Sequence, residues 1–358
     1  MIPYFFLQFA PLLGNAKLSI NNKKCSISPI KIFFFILFSL LALRSINVGV
    51  DMKAYLYYFD IFSSCSFEQI VERIKQPDTY DYEVGFIAFT WLVGRLTGSF
   101  QCYIAITSLI TVLPIAWLYN KEEEYQYLEI VLFIQISIFT LMFSGIRQSI
   151  VISLGIFAYE LMKKKRFALF AVYVFALTFF HKSAWLLLVL PFLYFVPIKK
   201  KYLSFVVPIM ALVFIFKEQF FRIVLSFTGK YSDTKIVSTG AYSTFLLLIL
   251  ISIFCFVIPD ENKLSQEQMG LRNFLLFSVF LQSFASMHNT IMRVNYYFLI
   301  FVPTLIPQII VNAKPQMRKL AKEANVIMCA FFTIAHLVEM YKGADVLKIY
   351  PYQFFWEV

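Results

Sequence analysis

Residues 126–162 read QYLEIVLFIQISIFTLMFSGIRQSIVISLGIFAYELM, and this stretch decides the fold class. Two apolar runs, 126–144 and 146–162, are separated by one glycine, and the basic cluster KKKR follows at 163–166. Each run is close to the length of about 20 residues that a helix needs to cross a bilayer. Because the runs are continuous rather than alternating, they predict membrane-spanning helices and not the strands of a barrel.

The rest of the chain has the same character. Of its 358 residues, 60% are hydrophobic and 15% are charged, whereas soluble proteins average about 45–50% apolar and about 25% charged residues. This composition excludes a soluble enzyme and a disordered chain. The net charge of +11 is interpreted as a topology signal rather than as a nucleic-acid surface, because basic residues orient the spans of membrane proteins.

Thirteen apolar runs are candidate spans. The first begins the chain without a basic segment before it, so it is interpreted as a span rather than a cleaved signal peptide. The runs lie at 2–16, 32–49, 83–98, 101–119, 126–144, 146–162, 167–180, 183–198, 202–217, 241–258, 272–287, 294–312 and 324–341.

Clusters of Lys and Arg set the predicted orientation. The loops around 23–31, 163–166, 199–201 and 314–322 carry these clusters, which are typical of the cytoplasmic side. Thirteen crossings would put 163–166 outside, so we predict that 83–98 is re-entrant or interfacial. The prediction is therefore an all-α polytopic protein with about 12 transmembrane helices and both termini outside. We expect a single integral membrane domain over 1–358, with outer loops at about 50–82 and 217–240.

Several polar residues fall at the outer ends of these predicted spans. A charge at membrane depth costs about 2.5–3.5 kcal/mol on insertion scales, so such residues are functional candidates. Arg44 lies on the second predicted span, about a turn and a half deeper than Asp51. The residues at the outer face are Asp51, Glu83, Arg147, His181 and Arg293. They come from separate segments, and in a closed bundle they are predicted to converge on one cavity near the outer leaflet.

Each of these residues also has a structural interpretation. Arg147 and Arg293 can extend to lipid headgroups, and Arg44 can pair with a residue of the core. Asp51 and Glu83 can cap the helices that follow them, and His181 can form a bond between helices.

Together, however, the residues suit a lipid pyrophosphate. Arginine binds phosphate oxygens with a fork of donors and stays charged, which favours Arg147, Arg293 and Arg44 as ligands of the leaving group. An acceptor sugar hydroxyl needs a base, and Asp51, Glu83 or His181 can provide it. The sequence has no paired Asp motif, and its five cysteines have no zinc spacing. We therefore expect no metal and no cofactor.

At these residues the sequence resembles a known family, the EpsG-type branch of the Wzy polysaccharide polymerases. The matching elements occur in a fixed order along residues 30–300. They are Arg44-x-x-Asn47-x-Gly49-x-Asp51-x-x-x-Tyr55, Glu83-x-Gly85-Phe86, Gly145-Ile146-Arg147-Gln148, Phe180-His181-Lys182-Ser183-Ala184 and, less specifically, Arg293-x-x-x-Tyr297.

The resemblance implies a GT-C-like glycosyltransferase of the bacterial inner membrane. Such an enzyme joins undecaprenyl-pyrophosphate-linked repeat units at the periplasmic face for capsule, exopolysaccharide or O-antigen synthesis. Its partners would be the lipid-linked glycan donor and acceptor, membrane lipids and a chain-length regulator, with no nucleic acid. The short outer loop at 217–240 departs from the large periplasmic loop of many such polymerases.

Two other functions remain open at this point. A flippase for lipid-linked oligosaccharides is expected to show polar residues at the midplane and matching halves, whereas here the polar residues gather at one predicted face. An O-antigen ligase needs the same outer arginines and differs only in its acceptor.

Overall fold

The computed structural model describes residues 2–14, 18–20, 23–25, 27–75, 82–122, 124–228, 242–342 and 347–357. The chain forms two compact units. The first contains Met1–Leu188 and Ile327–Val358, and the second contains Val189–Val326. That the whole chain acts as one membrane domain stays a prediction.

Helices dominate the first unit. They are α1 (Ile2–Phe9), α2 (Pro29–Ala42), α3 (Met52–Ser64), α4 (Phe67–Lys75), α5 (Val84–Thr97), α6 (Phe100–Tyr119), α7 (Gln126–Gln135), α8 (Ile138–Ser144), α9 (Ile146–Lys163) and α10 (Phe167–Thr178). The 3₁₀ segments Ala10–Leu13 and Lys182–Val189 follow α1 and α10. Two short strands, β1 (Leu18–Ile20) and β2 (Lys23–Cys25), pair antiparallel. Within the described residues this hairpin is the departure from the predicted all-α class, which is otherwise confirmed.

The second unit is helical throughout its described part. It contains α11 (Leu190–Phe195), α12 (Leu203–Ile215), α13 (Lys217–Thr228), α14 (Tyr242–Val257), α15 (Gln266–Phe284), α16 (Asn289–Leu299) and α17 (Val302–Val311). Short 3₁₀ turns lie at Lys200–Tyr202, Glu261–Lys263 and Pro315–Met317. The last long helix, α18 (Arg318–Lys342), begins in this unit and ends in the first.

The predicted number of crossings is not confirmed. Within the described residues, three helical stretches are long and apolar enough to cross a membrane: Phe100–Tyr119, Thr290–Val311 and Pro315–Lys342. Two bent pairs raise the number to five if each pair is one span. One pair joins Gln126–Gln135 to Ile138–Ser144 with a bend of 56°, and the other joins Lys200–Ile215 to Lys217–Ile223 with a bend of 78°.

The difference lies in where helices break. Each of the thirteen predicted runs does contain helix. Several of these helices, such as Pro29–Ala42 and Val84–Thr97, have 10–17 residues, fewer than the roughly 20 that span a bilayer. Hydropathy locates the apolar segments of the sequence. It does not predict where a turn, or a hydrogen bond to another segment, ends the helix within such a segment.

Helices α3 and α5 of the first unit run parallel, and the predicted acidic residues Asp51 and Glu83 immediately precede them. Tyr55 in α3 contacts Phe86 in α5, with ring centroids 6.0 Å apart. At the other end, a Cβ atom on Gly94 of α5 would lie 2.5 Å from the Cβ of Ser63 in α3. This close approach, possible because glycine has no side chain, brings the starts of α3 and α5 to the same end of the unit.

Candidate functional site

The first unit brings three of the predicted residues together around the Glu83 carboxylate. Its Oε2 accepts a hydrogen bond of 2.6 Å from Arg147 Nη1, and its Oε1 lies 2.9 Å from His181 Nδ1. The backbone N–H of Lys182 also donates to Oε1, at 3.0 Å. We call Glu83, Arg147 and His181 the Glu83 cluster. Its members are 64 and 98 residues apart from Glu83 in the sequence.

The start of α5 explains why Glu83 is available for these contacts. The first N–H groups of a helix have no partner within the helix. Here the carbonyl of Phe179 accepts from Gly85 N at 2.8 Å and from Phe86 N at 3.2 Å. Glu83 is the residue before α5, but its side chain forms no capping bond. The capping interpretation is therefore wrong for Glu83.

Gly85 makes this arrangement possible. A Cβ atom at position 85 would lie 2.8 Å from the Phe179 carbonyl oxygen, so a side chain would push the two segments apart. The same carbonyl belongs to the turn that carries His181. The motifs Glu83-x-Gly85-Phe86 and Phe180-His181-Lys182 are thus two halves of one contact.

Arg147 lies in the first turn of α9 and is held on two sides. Its guanidinium carbon is 4.1 Å from the centroid of the Tyr82 ring, a cation–π contact that adds to the ion pair with Glu83. The side chain of Glu83 is 7% exposed, whereas those of Arg147 and His181 are 22% and 25% exposed. The carboxylate of Glu83 is therefore the buried member of the cluster, and the guanidinium of Arg147 and the imidazole of His181 are its accessible members.

The pKa of Glu83 reflects these contacts. Burial favours the neutral acid and raises the pKa. The hydrogen bonds from His181 and from the Lys182 amide, together with the charge of Arg147, outweigh burial and lower the pKa of Glu83 to about 2. The carboxylate is therefore ionised at physiological pH.

Asp51 lies beside the segment that leads to Arg147. Its Oδ2 accepts a hydrogen bond of 2.9 Å from the Ser144 hydroxyl, at the end of α8. Asp51 precedes α3 but forms no side-chain capping bond, so the capping interpretation is wrong here as well. Ser144 is three residues before Arg147, and the Tyr55 hydroxyl lies 3.5 Å from the Arg147 amide nitrogen. Asp51 and the Glu83 cluster therefore flank the same turn between α8 and α9.

The loop before Asp51 is fixed by the C-terminal segment. Ser45 N donates to Gln353 O at 2.9 Å, and Gly49 N donates to Lys348 O at 3.0 Å. Gly49 has a φ of +108° and packs directly against the Phe143 carbonyl, where no Cβ atom fits. This pairing ends α2 at Ala42, although the apolar run continues to residue 49.

Arg44 lies apart from the cluster. Its side chain is buried, its Nη1 donates to the Met142 carbonyl at 3.0 Å, and its guanidinium carbon is 5.5 Å from the Phe143 ring centroid. This position supports the structural interpretation, in which Arg44 holds the end of α8. Its predicted role as a pyrophosphate ligand stays a prediction.

Arg293 belongs to the second unit. It lies in the first half of α16, whose start is capped by His288 through a 3.1 Å bond from Thr290 N to Nδ1. The role of Arg293 at the predicted site stays a prediction.

Two contacting residues were missed in the sequence. Tyr82 forms the platform for Arg147, and Ser144 binds Asp51. Each stands next to a motif residue, since Tyr82 precedes Glu83 and Ser144 precedes Gly145. This position next to a motif residue was the signal in the sequence that could have identified them. Tyr and Ser are too common in this chain for their residue type alone to mark them as site residues. Within the described ranges, no group of three or more His, Cys, Asp or Glu side chains is placed to hold a metal ion.

The long apolar helices define the chain as a helical membrane protein. The sequence profile of the EpsG family matches residues 29–354, and the chain belongs to that family. The resemblance in the sequence is thereby confirmed, and the family indicates a membrane protein of polysaccharide polymerase type. No curated protein and no solved structure gives a significant match to the chain.

Proposed function

We propose that the protein is a multi-pass glycosyltransferase of the bacterial inner membrane. It polymerises undecaprenyl-pyrophosphate-linked repeat units at the periplasmic face, for capsule, exopolysaccharide or O-antigen synthesis. The observation that carries the proposal is the buried Glu83 carboxylate, which binds both Arg147 and His181 while their side chains remain 22% and 25% exposed. A leaving pyrophosphate needs a cation and an attacking hydroxyl needs a base, and these two residue types supply them.

Arg147 is assigned to the pyrophosphate of the donor. One nitrogen of its guanidinium is bound by Glu83, and its plane is supported by Tyr82. This support holds the side chain in place before the substrate binds. A fixed cation stabilises the charge that develops on the pyrophosphate in the transition state, without reorganising during the reaction.

His181 is assigned as the general base. An ionised carboxylate accepts hydrogen bonds only, so the Nδ1 atom that faces Glu83 carries the proton and Nε2 is the basic nitrogen. Nε2 takes the proton of the acceptor sugar hydroxyl, the hydroxyl oxygen forms the bond to the donor anomeric carbon, and the bond to the pyrophosphate oxygen breaks. The leaving group departs with the electron pair, and the imidazolium is stabilised by Glu83.

Glu83 itself is a poor base in this arrangement. Its pKa of about 2 makes it a weak proton acceptor, and both carboxylate oxygens are occupied. We therefore assign it as a positioning residue for His181 and Arg147. Asp51 remains the alternative base, because the Ser144 hydroxyl binds only one of its two carboxylate oxygens, Oδ2.

The ends of α9 support the proposed orientation. Arg147 lies in the first turn of this helix and Lys163 ends it, 16 residues or roughly 24 Å further along. Lys121 and Lys163 both contact Glu160 at that far end, with N–O distances of 2.7 and 3.7 Å. The positive-inside rule predicts that the basic end is cytoplasmic, which puts Arg147 near the periplasmic face.

Cysteine labelling tests this orientation. Single cysteines at positions 121 and 164 should be protected from an impermeant thiol reagent in intact spheroplasts and labelled after lysis. Labelling of either position from outside contradicts the proposal. A cysteine at Lys53, near the start of α3, should be labelled in intact spheroplasts.

The reaction is tested by the glycan pattern of a deletion strain. Loss of a polymerase leaves single repeat units attached outside the cell, and the plasmid-borne gene restores long chains. Repeat units trapped inside would instead indicate a flippase, and free lipid-linked polymer would indicate a ligase. Either of these patterns contradicts the proposal.

A further inference from the structure

The second unit contains a groove that the proposed reaction does not use. It has a volume of about 340 Å³ and lies between α12, α14 and α15. Its walls are apolar, and Phe214 of α12 stacks on Phe245 of α14 at one end with ring centroids 4.9 Å apart. Lys200 is the charged residue among the described residues that line it.

The groove has the length of one membrane leaflet. Its wall on α12 extends from Leu203 to Phe214, and these 12 residues span roughly 16 Å of helix. Half of a hydrocarbon core of about 30 Å is about 15 Å. One apolar chain from a single leaflet therefore fits along it.

The end of the groove at Lys200 is positively charged. Lys200 is flanked by Lys199 and Lys201 and belongs to the basic clusters that are predicted to be cytoplasmic. Its backbone N–H donates to Glu261 Oε1 at 2.7 Å, so this contact with the carboxylate uses the backbone and not the ammonium group. The ammonium group is thus available to a ligand at the mouth of the groove.

A second cation lies beneath this mouth. Arg272 begins the face of α15 that continues with Leu276, Val279 and Ser283 along the groove. It is fully buried, with its guanidinium carbon 4.2 Å from the centroid of Phe256, another lining residue. Its Nη2 shares Glu261 Oε1 with Lys200 at 3.2 Å, whereas its Nε and Nη1 have no hydrogen-bond partner. Glu261 therefore contacts the guanidinium of Arg272 but only the backbone of Lys200, so this carboxylate does not pair with the positive charge of Lys200.

We infer that this groove binds an anionic phospholipid of the cytoplasmic leaflet. One acyl chain lies between α12, α14 and α15, and the phosphate lies at Lys200. Charge complementarity and length both support this occupant. The lipid-linked glycan donor is a different occupant, because its pyrophosphate is proposed to bind at Arg147 in the first unit. The site would tie the packing of the second unit to the lipid composition of the membrane.

Native mass spectrometry of the full chain in detergent tests the inference. Phosphatidylglycerol should remain bound after activation at which phosphatidylcholine with the same acyl chains is lost. We expect Lys200→Glu to weaken phosphatidylglycerol binding by about tenfold or more, since it reverses the charge at the mouth and removes an ion pair with the phosphate. Lys201→Glu is the matched control, because it changes the net charge equally but does not line the groove.

A second variant tests the chain rather than the headgroup. Ala211→Trp fills the groove from α12 and should abolish retention of phosphatidylglycerol. Equal retention of phosphatidylcholine, or equal effects of Lys200→Glu and Lys201→Glu, overturns the inference. Displacement of phosphatidylglycerol by undecaprenyl pyrophosphate also overturns it and assigns the groove to the donor. The two phosphatidylcholine and lysine outcomes are independent of glycan polymerisation and leave the proposed reaction untouched, whereas displacement by undecaprenyl pyrophosphate would also count against Arg147 as the site of the donor pyrophosphate.

Discussion

The two units each contain an arginine–glutamate pair, and the pairs are built in opposite ways. In the first unit the carboxylate of Glu83 is the buried partner at 7% exposure, and Arg147 is 22% exposed. In the second unit Arg272 is buried completely, and Glu261 is 29% exposed. The first pair joins residues 64 positions apart in the sequence and the second joins residues 11 positions apart. The two pairs also present different groups to the surroundings.

The difference separates a binding residue from an anchoring one. Arg147 contacts Glu83 and Tyr82, and the exposed part of its side chain can bind an anion. Arg272 donates inward to the Ile198 carbonyl at 3.2 Å and lies under Phe256. Buried ion pairs contribute little net stability, although removing one partner is costly. The exposure of the cation, rather than the presence of the pair, is therefore the feature that supports the proposed substrate role of Arg147.

The largest effect is expected for Arg147→Ala. Losing the cation removes the stabilisation of the leaving pyrophosphate, and polymer should fall by about 10³-fold or more while the protein still inserts. Arg147→Lys should still make about 10–100-fold less polymer than the wild type, because an ammonium group cannot reproduce the planar fork of donors of the guanidinium. Glycan banding with an immunoblot of the membrane fraction measures both.

Glu160→Gln provides the matched control on the same helix. It removes a carboxylate whose Lys121 partner is 36% exposed, and surface ion pairs of this kind contribute about 0–1 kcal/mol. Polymer of normal length is expected. If Arg147→Ala also makes normal polymer, the arginine is no more than an anchor.

Glu83→Gln should have the next largest effect. The amide keeps the size of the side chain but permits the wrong tautomer of His181, so kcat should fall by about 10²–10⁴-fold. KM for the lipid-linked acceptor should change little, because the residue positions groups and does not touch the acceptor. A full kcat in purified protein would remove Glu83 from the mechanism.

Arg272→Met should affect stability more than rate. The substitution removes two hydrogen bonds and a buried charge but retains volume, so Tm should fall by roughly 3–8 °C. Polymerisation per folded protein should fall by less than tenfold. If the rate falls as far as in Arg147→Ala at an unchanged Tm, the two pairs play the same role and the comparison fails.

The smallest effect concerns acid stability. Because folding lowers the pKa of Glu83 from 4.5 to about 2, the ionised carboxylate stabilises the folded state above pH 4.5. This contribution is lost as pH falls from 4.5 towards 2. Tm of the wild type should therefore decline more steeply below pH 4.5 than Tm of Glu83→Gln. Equal slopes for the two proteins would show that the cluster does not hold Glu83 ionised.

Part of the candidate site could be predicted from the sequence. Charged residues are costly inside a membrane, so Glu83, Arg147 and His181 stand out in an apolar chain, and the structure places them in contact. The same reasoning also selected Arg44, which is bound to a core carbonyl. The rarity of charged residues in an apolar chain identifies side chains that need a partner. It does not show whether that partner is a substrate or a carbonyl group of the protein.

The sequence by itself determined membrane embedding, helical structure and family, because apolar runs cannot leave their backbone groups unpaired in lipid. The tertiary structure alone decided where those helices break and which partners the polar groups take. The Phe179 carbonyl satisfies the first amides of α5 and so releases Glu83 from capping. Such a contact joins residues nearly a hundred positions apart, and no local pattern encodes it, since it depends on how the helices pack.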